Sequence, residues 1–164
     1  MATQYVLKSG TLTRPANTTA YGAGDALSTE TAASTSMTIS DAVQTNGGAG
    51  RITRVRLVKD DTNVTNADFT VHLFNQSDGV GVTDDNSAFT AVNYTSRAAY
   101  IADVDLATMT ALTDGAQTPW LTVDIPFVCG DSKKDLFILF EVDSAYTPTS
   151  GNVFTLYLDI IQYT

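Results

Sequence analysis

Leu136-Phe137-Ile138-Leu139-Phe140-Glu141-Val142 and Val153-Phe154-Thr155-Leu156-Tyr157-Leu158-Asp159-Ile160-Ile161-Gln162-Tyr163 decide the fold class. The first run is apolar at five consecutive positions, which suits a strand covered on both faces. In the second, Phe154, Leu156, Leu158 and Ile160 alternate with Thr155, Tyr157 and Asp159, the period of a strand with one face in a core. Between them Tyr146-Thr147-Pro148-Thr149-Ser150-Gly151-Asn152 lacks helical periodicity and carries turn-forming residues. The pattern predicts a long hairpin at the centre of an all-β domain.

Working outward, Trp120 to Val128 reads as a strand with Leu121, Val123, Ile125 and Phe127 facing in, and Pro126 places it at a sheet edge. Phe69 to Phe74 alternates, with Phe69, Val71 and Leu73 inward. Arg51 to Lys59 is a strong strand in which Val55 and Leu57 share one face, while Arg54 and Arg56 share the other with Ile52 and Val58. Tyr5 to Thr13 is a strand that Arg14-Pro15 ends, because Pro15 donates no hydrogen bond and holds Arg14 extended. Short strands are expected at Ala26 to Thr29 and Met37 to Asp41, an extended run at Ile101 to Leu106, and a loop from Met109 to Gln117. Ser96 to Tyr100 gives one helical turn, the only helical signal. About eight strands without crossover helices predict an antiparallel two-sheet sandwich of jelly-roll type. It forms a single domain over 1–164, with an N-terminal arm within 1–14 free to be mobile.

Composition narrows function. Nine basic and eighteen acidic residues give a net charge of −9, which opposes condensation on a phosphate backbone, so no nucleic-acid partner is expected. No apolar run approaches the ~20 residues that span a bilayer, and Met1 to Val6 has no basic region leading into an apolar core, so the expectation is synthesis in a cytosol and no membrane partner. The Asn-x-Thr/Ser sites at Asn17, Asn63, Asn75 and Asn93 are then chance products of an Asn/Thr-rich surface. Cys129 has no partner for a disulfide, and beside Phe127 and Val128 it reads as a buried, inert thiol.

Catalytic resources are thin. The sole histidine, His72, falls on the opposite parity to the core residues of its strand, which predicts a surface or loop-covered ring. No GxSxG, GxxxxGK[ST] or HExxH motif occurs, and one His with one Cys cannot build a zinc site. The loop acids Asp60-Asp61, Asp78 with Asp84-Asp85, and Asp103 with Asp105 read as solvated, so no enzyme and no cofactor are expected. Calcium is the milder alternative at Asp78, Asp84, Asp85 and Asn86, though the spacing matches no EF-hand. Loop aromatics favour a binding surface, with Tyr94, Tyr100, Trp120 and Tyr146 offering the alternative of a receptor- or carbohydrate-binding module.

Thr11-Leu12-Thr13-Arg14-Pro15-Ala16-Asn17-Thr18-Thr19-Ala20-Tyr21-Gly22-Ala23-Gly24-Asp25, with the later Asp85-Asn86-Ser87-Ala88-Phe89, resembles a family of small tailed-bacteriophage virion proteins. These look like jelly-roll capsid decoration (cement or auxiliary) proteins. The resemblance covers most of the chain in strand pattern, and its sharp part is Arg14 to Tyr21 with the following Gly24-Asp25. It implies a homotrimer at threefold positions on the outer capsid surface of the virion, bridging subunits of the major capsid protein. Capsid contacts are then expected along Tyr5, Leu7, Leu12, Arg14 and Tyr21, where strand edges can be extended by capsid backbone, and subunit contacts at Arg54 and Arg56.

Overall fold

The computed structural model describes residues 3–32, 34–77, 81, 83–93 and 96–163. Among these, regular structure is strand apart from one 3-10 turn, Ser96–Ala98, where the helical signal stood. The strands are β1 (Thr3–Thr13), β2 (Asp25–Leu27), β3 (Met37–Ile39), β4 (Ala49–Lys59), β5 (Phe69–Phe74), β6 (Tyr100–Asp105), β7 (Thr110–Ala111), β8 (Ala116–Gln117), β9 (Leu121–Val128), β10 (Leu136–Val142) and β11 (Val153–Tyr163). Among the described residues no helix is long and apolar enough to cross a membrane.

Two antiparallel sheets pack face to face. Sheet I runs β1-β11-β4, with β9 and β8 end to end along the far edge of β4 and β7 hairpinned onto β8. Sheet II runs β2/β3-β10-β5-β6, with β2 and β3 lying end to end along one edge of β10. Taking β2 and β3 as one position and setting the β7–β8 hairpin aside, eight positions divide between the sheets in the order 1-8-3-6 and 2-7-4-5, a jelly roll.

One expectation fails here. β10 and β11 do not form a hairpin: β10 pairs with β5, β2 and β3, whereas β11 pairs with β1 and β4, and the Asp143 to Asn152 connection crosses from one sheet to the other. Each strand is central in its own sheet, with both edges already paired by other strands. The apolar run of β10 has the predicted double cover. Leu136, Ile138, Phe140 and Val142 enter the core between the sheets, while Phe137 and Leu139 join Phe74, Ala91 and Ala99 beneath the chain segment that precedes β6.

A second difference concerns β4. Ile52, expected beside the arginines, is fully buried with Val55 and Leu57 because a bulge between Ile52 and Arg54 inserts Thr53 and switches the side-chain parity. Among the described residues β9 pairs only with β4, as Pro126 indicated. Thr110 to Gln117, read as loop, contains the short β7–β8 hairpin. The N-terminal stretch is strand from Thr3, paired residue by residue with β11 from Tyr163 back to Val153.

Gly10 shows how tightly β1 is seated. A Cβ there would lie 2.8 Å from both the Ile39 Cδ1 and the Thr38 carbonyl oxygen and 2.9 Å from Met37 Cγ. Gly10→Ala should therefore push β1 from β3 and destabilise the fold by about 1–3 kcal/mol, the range for overpacked sites, read as a lower denaturant midpoint at unchanged m-value.

Candidate interaction surface

Val6, Lys8, Gly10 and Leu12 occupy the inward parity of β1, and Arg14 continues it one step past the strand. Arg14 thus enters the protein, and its side chain is fully buried against that of Asp85, Nη2 to Oδ2 3.3 Å. Nε donates to the Tyr21 hydroxyl at 3.0 Å, Nη2 to Asn17 Oδ1 at 3.0 Å, and Nη1 to the carbonyls of Asn17 and Thr149. Asp85 Oδ1 accepts from the Tyr21 hydroxyl at 2.6 Å and from the Ser28 amide at 3.0 Å. Burial, reinforced by Asp85, raises the Tyr21 pKa far above its ordinary value, so the phenol stays a donor.

The ring of Tyr21 lies parallel to that of Tyr146, interplanar angle 3°, and the two residues form an isolated bridge with Tyr21 N donating to Tyr146 O at 2.9 Å. The Tyr146 hydroxyl accepts from buried Lys59 Nζ at 3.1 Å, and Nζ also donates to Asp61 Oδ1 at 2.7 Å. Desolvation lowers the Lys59 pKa, with Asp61 opposing the shift.

Leu12, Arg14 and Tyr21, expected at the capsid contact, are therefore buried parts of the fold, whereas Tyr5 and Leu7 are 77% and 58% exposed. Tyr5 and Leu7 project from the outer face of sheet I on its edge strand, whose other side pairs with nothing among the described residues. Leu7 stands opposite Asp159, which is opposite Arg54; Ser9, Tyr157 and Arg56 form the next row. Tyr5, Val6, Leu7, Thr53, Arg54, Asp159 and Ile160 line a shallow groove of about 440 Å³.

Arg54 bonds Asp159 in a fork, Nε at 2.6 Å and Nη2 at 2.5 Å from Oδ2, within one sheet, while Arg51 pairs with Asp124 at 2.9 Å. Arg54 and Arg56 both stack on Trp120, 4.9 and 4.7 Å from the ring centre, and Arg56 also faces Tyr157 at 5.8 Å. Among the described residues no carboxylate pairs with Arg56, and its Nε is buried without an acceptor.

The outer face of sheet II differs. His72 is covered by Phe89, rings 4.4 Å apart, and its Nε2 lies 3.1 Å from Glu141; burial lowers its pKa against the pull of Glu141. The Tyr100 hydroxyl donates to Asp103 at 2.8 Å. Beyond them Asp68, Asp105 and Asp143 bring carboxylate oxygens within 4.8 Å of one another. Burial pushes Asp143 up to about 6; the Thr70 hydroxyl, donating at 3.0 and 3.1 Å, opposes the shift, and Asp68, Asp105 and Glu141 add to it.

In the loop weighed for calcium, Asp85 is consumed by Arg14, Tyr21 and Ser28, Asp84 accepts from the Ser34 amide, and Asp78 lies outside the described residues. The aromatics considered for sugar binding are not gathered: Tyr146 is core, Trp120 flanks sheet I, Tyr100 lies on sheet II, and Tyr94 lies outside the described residues. Cys129 is buried, and desolvation pushes its thiol up to about 12.

No family model and no curated protein matches the chain. Its fold is similar to a chain of the cyanophage Pam1 capsid asymmetric unit, at 9% identity and a TM-score of 0.41, covering 98% of this chain and 86% of that one. It is also similar to the vertex protein of PRD1, at 12% identity and 0.38, covering 93% and 95%. A third likeness is to a cleaved adhesin domain of Lys-gingipain from Porphyromonas gingivalis, at 13% identity and 0.33, covering 84% and 71%.

Two outcomes follow from these geometries. Asp85→Asn leaves Arg14 buried without its counter-charge, which should cost about 3–5 kcal/mol and lower Tm by on the order of 10 °C in differential scanning calorimetry. Asp143 binds its proton more tightly folded than unfolded, so its stabilising contribution is complete below pH ~4 and lost as pH rises through about 6. Asp143→Asn should accordingly stabilise by about 1 kcal/mol at pH 7.5, discounted for partial exposure, and by nothing measurable at pH 4, in paired urea titrations.

Proposed function

We propose that this chain is a structural virion protein of a tailed phage, decorating and stabilising the outer capsid surface as a trimer bound to the major capsid protein. The observation that carries the reading is the bare outer face of sheet I, with the exposed Tyr5 and Leu7 on an edge strand open to main-chain pairing. An apolar edge inviting an added strand is a liability in a protein that works alone and an asset in one that docks. The strand is also suited by charge: the first acid in the sequence is Asp25, so β1 carries Lys8 as its only charged side chain within a chain of net charge −9.

The resemblance carried by Arg14 to Tyr21 supports the same role, although those residues serve it from within. They fix the end of β1 and hence the position of the edge. The titratable groups are engaged structurally, His72 beneath Phe89 and Asp85 against Arg14, which favours a non-catalytic role. Three modest contacts on one trimer would act together through multivalency.

Replacing Tyr5 and Leu7 together by Asp should weaken binding to purified capsids by at least about tenfold, roughly 1.4 kcal/mol, while leaving the thermal melt within a few degrees of the parent. Undiminished co-sedimentation of that folded variant with capsids would place the contact elsewhere.

A further inference from the structure

His72 is the sole histidine of the sequence, and it sits in β5 on the outer face of sheet II, where alternation puts a side chain outside the main core. It is covered all the same, with 9% of its side chain exposed. The cover is Phe89, whose ring lies 4.4 Å away and within 20° of parallel, and the Tyr100 ring stands 6.2 Å off on the β6 side. Nε2 lies 3.1 Å from Glu141 Oε2 on β10, and Nδ1 is buried with no hydrogen-bond partner among the described residues. A neutral ring tolerates this arrangement, donating from Nε2 and leaving Nδ1 as an unused acceptor. An imidazolium does not, because its second N–H would be left unbonded beneath an aromatic ring.

The stretch of chain that carries Phe89 is a strap tied at both ends. At one end Asp85 is held by Arg14, Tyr21 and Ser28; at the other the Ser96 hydroxyl donates to the Ala91 carbonyl at 2.6 Å. Between these ties three main-chain bonds fasten the strap to β2 and the turn before it: Asn86 N to Ala26 O at 2.9 Å, Ala26 N to Ser87 O at 2.8 Å, and Phe89 N to Gly24 O at 2.7 Å. Phe89 and Ala91 pack against Phe74, Phe137 and Leu139, the second apolar cluster of the protein.

We propose that His72 is an acid-operated release for this strap: protonation of its ring drives Phe89 aside, admits water to Nδ1 and uncovers the apolar surface of Phe74, Phe137 and Leu139. The groups facing the ring are Glu141 from β10 and Asp103 and Tyr100 from β6, with Phe89 from the strap. Burial raises the Tyr100 pKa, and its hydroxyl donates to Asp103 at 2.8 Å. For His72, burial lowers the pKa while Glu141 and Asp103 oppose the shift. The covered ring therefore binds its proton more weakly than the uncovered one. The strap is held fully above pH ~6.5, the ordinary histidine value, and loosens as pH falls through the lower pKa of the covered ring. Within that window the uncovering equilibrium shifts by up to about tenfold per pH unit. The release uses groups of a single chain and is independent of the capsid contact.

The test follows the single imidazole of the full chain by NMR from pH ~8 to ~4.5, a span that brackets the ordinary histidine value. The parent should titrate with a midpoint below ~6.5, and F89A, which removes the cover, should move that midpoint up towards ~6.5. F89L takes its place if F89A lacks a parental thermal melt at neutral pH. Amide exchange reads the strap itself. The protection factors of Ala26, Asn86 and Phe89, taken relative to Leu156 in β11, should fall at least about fivefold between pH ~7 and ~5. In H72F they should hold constant, since that ring still stacks but takes no proton; H72Q replaces it if H72F does not fold. Asp143, which interacts with Glu141 and titrates at about 6, is retained in H72F, so a response it caused would persist there.

A parental midpoint at or above ~6.5, a midpoint unmoved in the folded Phe89 variant, or strap protection that stays constant in the parent or falls as steeply in H72F would each overturn the proposal.

Discussion

A guanidinium out of reach of water must be met by protein groups on every side, and Arg14 draws three further stretches of chain onto itself to achieve this. The end of β1 supplies the cation, Asn17 and Tyr21 flank it, Asp85 arrives from the segment that covers sheet II, and Thr149 comes from the connection between β10 and β11. Desolvating both charges is expensive, and bonds to Tyr21 and Ser28 that complete the shell of Asp85 are what make the burial tolerable. The pair acts less as a source of net stability than as a clasp: only one arrangement of these segments satisfies every donor.

From that clasp the outer surfaces take their character. Tyr21 bridges to Tyr146, and Tyr146 to Lys59 at the end of β4, so the β10–β11 crossing is held to both sheets. With β1 fixed against β11, Tyr5 and Leu7 stand on an open sheet face. Sheet II is different, since Phe89 and Tyr100 pack over Phe74 and His72 and close part of its outer side. One face sets arginines against aromatic rings and paired acids, and the other is acidic and partly roofed. A sandwich with such unlike sides is suited to contacts made by whole surfaces and not by a cleft.

Particular residues show how far the sequence could be read. The alternation in β5, β9 and β11 marked their inward faces correctly, and Pro126 marked an edge. The same alternation, carried from Leu12 to Arg14, would have sent Arg14 inward; the resemblance put it at the capsid contact instead, and the counter-charge that holds it inside lies in a distant segment, at Asp85. Ile52 misled for a local reason, because the bulge at Thr53 leaves no residue signature such as glycine. The acid trio at Asp68, Asp105 and Asp143 was invisible because its members come from three strand ends adjacent only in the sheet.

By itself the sequence determined a β-class chain, its strands, the side of most strands that is buried, and an overall negative charge, since periodicity and composition are local or summed properties. Only the tertiary structure decided that β10 and β11 part into different sheets, that Arg14 and Tyr21 lie inside, and that the strands holding Arg and Lys gather in one sheet while the other sheet's strands hold neither. Those outcomes depend on which strands become neighbours, and pairing is settled by long-range satisfaction of buried groups that no window of sequence contains.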